Sequence, residues 1–267
     1  MTLERISTGI SGLDALLNGG YIKGRSYVVT GDAGTGKTTA CLQFLTSSLA
    51  SGEKVLYLTV DERPAEILES AAAFSWDLQS YIQSKTLAIL DAGPLFESRG
   101  GSATEQGMSP QKMVTDLGTY AKNLGATILI VDPLTPLLRP MNSNSSGQEH
   151  ARALIQLIKS HLNTTNLFTS HDPAGPDSGT GVEQYLASGV LLLKARETNG
   201  GFERMMTIKK MRNTPVEPGH YPFVLVPRQG IVLIDQPAVC GEVSASQAPR
   251  HADPLLFASF EPENHEP

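Results

Sequence analysis

The sequence predicts an α/β fold: a mostly parallel central sheet flanked by helices, with an antiparallel extension toward the C-terminus. Three observations carry that expectation. Short apolar runs alternate with segments of helical period, as successive βαβ units require. A glycine-rich phosphate-binding pattern stands between the first such run and the helix that follows it. After Arg196 the alternation stops, and strand-like runs follow one another with only turns between them.

The apolar runs 26–30, 55–60, 87–90, 127–131, 166–169 and 190–194 are the strand candidates. Residues 37–50, 64–74, 110–124 and 148–162 have helical spacing. Pro64 stands where a helix tolerates proline, in its first turn. Ser109 before Pro110 is a candidate cap for the third helix. In the extension, 204–211 and 223–226 read as strands, and Gln229-Gly230 is a tight turn leading into 231–234. Two polar loops, 93–109 and 141–147, have the composition of exposed, mobile segments. From residue 236 the chain is rich in Pro, Ala, Glu and Ser and loses periodicity. The expected organisation is therefore one folded domain, 1–235, and a largely disordered tail, 236–267.

At 267 residues the chain is long enough for one large core. Hydrophobic residues at 40% and charged residues at 18% are ordinary for a globular protein. A net charge of −6 gives no global attraction to nucleic acid or to an anionic membrane. Of the two cysteines, Cys41 falls in a predicted helix and Cys240 in the tail, which is neither a disulfide nor a zinc pattern. The first ten residues lack the apolar run of a signal peptide, and no stretch reaches the roughly 18 apolar residues of a membrane span. A cytoplasmic protein is expected.

Residues 31–38 read GDAGTGKT and satisfy G-x-x-x-x-G-K-[ST] at every fixed position. The spacing follows from chemistry. Glycines let the backbone curl so that successive N–H groups point inward at phosphate oxygens. Lys37 reaches the β- and γ-phosphates, the Thr38 hydroxyl takes a Mg²⁺ position, and the helix beginning there directs its positive end at the same anion. Gly31, Asp32, Ala33, Gly34, Thr35, Gly36, Lys37, Thr38 and Thr39 are the candidate binding residues.

A phosphate loop needs a carboxylate at the end of another buried strand to hold the metal's water shell. The run Thr127-Ile-Leu-Ile-Val-Asp132 supplies one, although an aspartate before Pro133 is also ordinary turn chemistry. Thr38 and Asp132 are thus the candidate Mg²⁺ residues. Hydrolysis further needs a base in line with the γ-phosphate. Asp61 and Glu62, at the carboxyl end of strand 55–60, are both candidates; the same pair also suits the first turn of the helix after it.

With these parts placed, the chain resembles the KaiC-like branch of the RecA superfamily from about Arg5 to Ile234. The opening STGISGLDALLNGGYIKGRSYVVTG (7–31) is similar to that family's lead-in to the phosphate loop. LDAGP (90–94), GVEQY (181–185), KKMRNT (209–214) and YPFVLVPRQGIVL (221–233) fall at matching places. The resemblance implies a RecA-like P-loop fold and an ATPase using ATP and Mg²⁺. It also implies a homo-oligomeric ring, usually a hexamer, with ATP sites between subunits. A Lys-x-Arg pair from the neighbouring subunit then reaches the γ-phosphate, and the matching residues are Lys210 and Arg212. Residues two apart on a strand face the same way, which agrees with this, although a solvated basic edge strand has the same appearance. Thr169-Ser170-His171 falls where RecA-like folds carry a polar γ-phosphate sensor, or is simply a strand end. His171 has no second histidine at ligand spacing.

Three departures stand out. The clock proteins carry two such domains in tandem and this chain has one. Their acid pair is commonly Glu-Glu and here is Asp61-Glu62. Their autophosphorylated Ser-Thr pair aligns near Gln184 and Tyr185, so autokinase activity does not carry over. The expected function is Mg-dependent ATP binding with slow hydrolysis, in a switch acting on an unidentified protein partner. The alternatives are a nucleic-acid-dependent recombinase-type ATPase and a nucleotide-gated scaffold with negligible hydrolysis. Loop 93–109 holds a single arginine, Arg99, and a single aromatic, Phe96, too little for a nucleic-acid stacking platform.

Overall fold

A computed structural model describes residues 3–92, 110–138, 147–171, 181, 184, 186–198, 201–217 and 219–234. Tail 236–267, loop 93–109 with Ser109, and residues 141–146 of the second polar loop lie outside the described residues, as does Cys240.

The strands Ser26–Gly31 (β3), Val55–Thr59 (β4), Ile128–Asp132 (β6) and Thr165–Ser170 (β7) are buried at every position. Strands so enclosed need apolar side chains on both faces, which is why 55–58 and 128–131 read as continuous hydrophobic runs without alternation. With Leu87–Asp91 (β5) and the start of Gly189–Thr198 (β8), they form a parallel array ordered β8-β3-β7-β6-β4-β5. Gly201–Met211 (β9), His220–Val226 (β10) and Gly230–Leu233 (β11) continue it antiparallel beyond β8, completing nine strands. The mixed sheet predicted from the sequence is the one observed.

Helix α2 (Lys37–Ala50) covers one face of the sheet, and eight of its fourteen residues are buried. The six consecutive buried residues 40–45 point in every direction around the helix, so that stretch must be covered on more sides than the one facing the sheet. The sheet encloses α2 from one side, and the lead-in and the β10–β11 hairpin enclose it from the other. The lead-in contains two short strands, Arg5–Ile6 (β1) and Tyr21–Ile22 (β2), and one helical turn, Leu13–Leu16 (α1). The Asp14 carboxylate accepts hydrogen bonds from the Ser7 hydroxyl, the Thr8 N–H and the Thr8 hydroxyl at 2.6, 2.8 and 2.6 Å. That fastening explains the Ser-Thr-Gly…Asp spacing of the lead-in. Gly9 packs so tightly that an added Cβ would sit 2.4 Å from the Gln43 carbonyl oxygen, at a φ of 75° that side chains disfavour.

The other face carries Pro110–Leu124 (α5) and Gly147–His161 (α6), packed against each other. Buried Met113, Val114, Leu117 and Ala121 repeat the spacing of buried Leu154, Ile155, Ile158 and Leu162, so each helix turns one apolar stripe inward. Pro64–Ala73 (α3) and Gln79–Gln83 (α4) are shorter helices. Pro64 is at the first helical position, and the Glu66 carboxylate accepts from the Arg63 N–H at 2.7 Å.

Small corrections concern boundaries. Helix α6 begins at Gly147, which the sequence reading left in the loop. The β10–β11 turn is Pro227–Gln229, not Gln229–Gly230: the Gln229 N–H bonds to the Val226 carbonyl at 3.1 Å, and Arg228 takes a φ of 67°. Gly230 already belongs to β11. None of α1, α4, β1 and β2 was anticipated, because each is too short to establish a period.

Candidate active site

The carboxyl ends of β3, β7, β6 and β4 lie side by side, and ligands in open α/β sheets bind at such ends. Loop 31–38 leaves β3 there. Gly31 is pressed against β8, where an added Cβ would lie 2.2 Å from the Leu193 carbonyl oxygen. Gly34 and Gly36 take φ of 74° and 104°, which lets the chain curl between strand and helix. The Thr35 hydroxyl donates to the Asp32 carbonyl at 2.8 Å and closes the curl. Asp32, Ala33 and Gly34 are exposed at the mouth, while Thr38 and Thr39 are part-buried in the first turn of α2. The Lys37 ammonium group turns back over the loop onto the Gly31 and Asp32 carbonyls, at 2.9 and 2.7 Å. Burial lowers its pKa, opposed by the negative charges of Asp132 and Asp32.

Asp132 ends β6 and is 7% exposed. One carboxylate oxygen accepts from the Tyr57 hydroxyl at 2.8 Å and the other from the Thr169 hydroxyl. Two donors from the flanking strands therefore fix its orientation. The backbone fastens the same ends: the Val60 N–H donates to the Asp132 carbonyl at 3.1 Å, and the Leu134 N–H to the Thr169 carbonyl at 2.8 Å. A held carboxylate and a threonine hydroxyl are hard oxygen donors, of the kind that suits Mg²⁺. Among the described residues, no group of three or more His, Cys, Asp or Glu side chains could hold a metal ion by itself. Thr169 of the Thr169-Ser170-His171 strand end thus bonds Asp132, whereas His171 is exposed.

Asp61 and Glu62 follow β4 and differ in environment. Asp61 is exposed; Glu62 is part-buried. Burial raises the Glu62 pKa, and the charges of Asp132, Glu66 and Asp61 raise it further. The charge of Asp132 thus acts on both Lys37 and Glu62. The Thr59 hydroxyl donates to the Glu62 carbonyl at 2.6 Å and pins the turn that carries the acid.

Lys210 and Arg212 are not brought to this loop. An extra residue, Lys209, bulges from β9, so that Lys210 lies level with Val190 and hence with Val28. That is three residues before Gly31, or about 10 Å along the strand. Strand β9 ends at Met211, so strand alternation does not place Arg212. The Arg212 N–H donates to the Ser188 carbonyl at 2.8 Å, and the Ser188 N–H to that of Ser26 at 2.7 Å. Both basic residues therefore lie toward the amino ends of the parallel strands, away from the phosphate loop.

Tyr57 and Gln43 escaped the sequence reading, and Thr169 stands there only as part of a γ-phosphate sensor or strand end, not as a partner of Asp132. Tyr57 and Thr169 orient Asp132; their signal was alternation, since each shares the face of its strand with the apolar residues covered by α2. Gln43, in the buried stretch of α2, is 3% exposed and joins the helix to the lead-in and the β10–β11 hairpin. A buried amide in a helix is itself the signal of fixed partners.

Comparison with known proteins agrees with this geometry. The family model described as ATPase: KaiC matches residues 6–238. A circadian clock oscillator protein KaiC from a Picosynechococcus species is 29% identical over 226 residues, 84% of this chain and 43% of that protein. KaiC 1 of a Synechocystis species is likewise 29% identical over 226 residues, with the same coverage. The chain thus spans less than half the length of these curated relatives. The crystal structure of a KaiC-like protein from the hyperthermophilic archaeon Pyrococcus horikoshii superposes with a TM-score of 0.73 at 28% identity, covering 88% of this chain and 100% of that one. From its phosphate loop to its terminal hairpin, the chain belongs to the KaiC family of ATPases.

Proposed function

We propose that the chain binds Mg-ATP on loop 31–38 and hydrolyses it slowly, at sites between the subunits of a hexameric ring, as a switch read by a protein partner. One observation carries the reading. The Asp132 carboxylate, held by the Tyr57 and Thr169 hydroxyls at the carboxyl end of β6, acts electrostatically on both the Lys37 ammonium and the part-buried Glu62 carboxylate.

The N–H groups of residues 31–39 wrap the phosphates, and Lys37 leaves its two carbonyls for the β- and γ-oxygens. Thr38 and Asp132 would hold Mg²⁺, which would supply positive charge against the phosphates. Glu62, rather than Asp61, accepts the proton of the attacking water. Its raised pKa makes it the stronger base, and Asp61 stands out in solvent. Lys210 and Arg212 lie far from their own loop, so they serve the γ-phosphate of a neighbouring subunit and stabilise charge developing in the transition state. The ATPase domain is residues 1–235, and 236–267 is a separate tail. Among the described residues no helix is long and apolar enough to cross a membrane, and the proposed compartment is the cytoplasm.

Phosphate release with Mg-ATP, measured beside the protein's size with and without nucleotide, tests the proposal. Expected are a ring that assembles with ATP, and in Lys37→Ala a loss of turnover. Folded protein that releases no phosphate above background in any assembly state would overturn it.

A further inference from the structure

The amino-end side of the sheet gathers positive charge. The Lys210 ammonium donates to the Gln184 carbonyl at 3.1 Å. The Lys159 ammonium, from the last turns of α6, donates to the Leu186 carbonyl, two residues on, at 2.9 Å. Two residues further, the Ser188 carbonyl accepts from the Arg212 N–H. Three basic residues from two separate elements are thus arranged along five residues of backbone.

Such convergence is unfavourable in isolation. Burial first, and then neighbouring positive charge, holds the Lys159 and Lys210 pKa values below that of an ordinary lysine. Arg212 acts on both lysines, Lys159 on Lys210, and Arg25 on Lys159. Like charges placed together repel, and a fold that retains the arrangement is preorganised for an anion brought from outside.

We propose that Lys159 is a positioning residue for Lys210 and Arg212, fixing the Gln184–Ser188 backbone on which both rest and directing them toward a neighbouring subunit's nucleotide. The inference rests on the trans role given to that pair above. Lys159 acts in two ways of the same sign. Its hydrogen bond holds the Leu186 carbonyl, and with it the support for Lys210. Its charge acts on Lys210 and adds to the positive potential that meets an incoming phosphate.

The test is a double-mutant cycle on the assembled protein, with steady-state hydrolysis of Mg-ATP as the readout. Lys159→Met removes charge and donor at similar length. The expected result is a fall in kcat of about tenfold to a hundredfold, the range set by a displacement of about 1 Å at a reacting centre. KM should change little, since the pair acts in the transition state. Lys159→Arg keeps charge and donors and should recover most of the rate. In an Arg212→Ala background, Lys159→Met should cost little more. Wild-type kcat in Lys159→Met would overturn the inference, as would undiminished effects in the double variant. A Lys159→Met chain that fails to fold, with Lys159→Gln folded and fully active, would also overturn it. If Arg212→Ala alone hydrolyses at the wild-type rate, the trans role itself falls and this inference with it; an impaired Arg212→Ala beside an unimpaired Lys159→Met sinks only the role of Lys159.

Discussion

Replacing Gln43 with leucine tests how the phosphate-loop helix is tied to the rest of the molecule. The Gln43 amide nitrogen donates to the carbonyls of Gly9, Gln229 and Ile231 at 3.1, 2.9 and 3.0 Å, and its oxygen accepts from the Ile231 N–H at 2.6 Å. Strand β11 is an edge of the sheet, and Gln43 satisfies the outward groups of Ile231 that no further strand meets. Leucine keeps the volume and removes all four bonds. Water can reach the carbonyl of exposed Gln229, but Ile231 is fully buried. Its N–H and C=O would each lose about 1–3 kcal/mol. The better burial of leucine returns about 1–2 kcal/mol, leaving a net destabilisation of about 3 kcal/mol. For a domain of this size each kcal/mol moves Tm by about 2–4 °C, so Gln43→Leu should melt about 6–12 °C lower, followed by circular dichroism without nucleotide. Nucleotide affinity should fall as well, because Leu225 and Ile231 of the hairpin lie against Gly36 of the loop. A melting point within about 2 °C of wild type would refute the reasoning.

The two acids after β4 should separate cleanly. Glu62→Gln should lower kcat by about a hundredfold or more, the usual worth of a general base, and Asp61→Asn by only a few fold; the opposite order in single-turnover phosphate release would reassign the base. Because the Glu62 pKa is raised by burial and by its carboxylate neighbours, the base becomes protonated as pH falls through a value above that of an ordinary glutamate. The acid limb of the kcat profile should accordingly lie higher than usual and be absent from the residual activity of Glu62→Gln, and a limb at the ordinary position would contradict the assignment. Asp132→Asn keeps the shape of the site but removes its charge, so the Mg²⁺ concentration giving half-maximal hydrolysis should rise at least about tenfold; an unchanged Mg²⁺ titration would remove Asp132 from the metal site.

The sequence made the sheet legible because its parallel strands are enclosed on both faces, and enclosure demands continuous apolar runs such as 128–131. Helices α5 and α6 were legible for a related reason: Met113 to Ala121 and Leu154 to Leu162 each keep one stripe over several turns. The phosphate loop was readable because its function constrains backbone shape, and backbone shape there requires glycine and lysine at fixed spacing. Short elements such as Arg5–Ile6 and Gln79–Gln83 had no such signature, since tertiary contacts rather than period create them. The choice between Asp61 and Glu62 was invisible for another reason. It depends on which side chain faces Asp132 after the turn that Thr59 pins, a three-dimensional fact absent from a pair of adjacent acids. Strand alternation also misplaced the reason Lys210 and Arg212 stand together. The bulge at Lys209 and the Ser188 carbonyl account for it, and neither has a sequence pattern of its own.

The distribution of charge along the sheet bears on assembly. Phosphate-binding groups and carboxylates occupy the carboxyl ends of the parallel strands, while Lys159, Lys210 and Arg212 gather near the amino ends. Arg212 stands about 16 Å below Gly31 by strand rise, since its N–H meets the carbonyl of a residue bonded to Ser26. A lysine or arginine side chain covers less than half of that distance, so no rotamer change could bring Arg212 to its own nucleotide. Had the cations met the anion within one chain, nucleotide would stabilise the monomer and leave association untouched. Under the proposed inter-subunit arrangement they would contribute only when a second subunit presents its loop, and ATP would then link the two copies by its phosphates. Linkage would then be reciprocal: the free energy by which ATP strengthens the contact between subunits equals that by which the contact strengthens ATP binding.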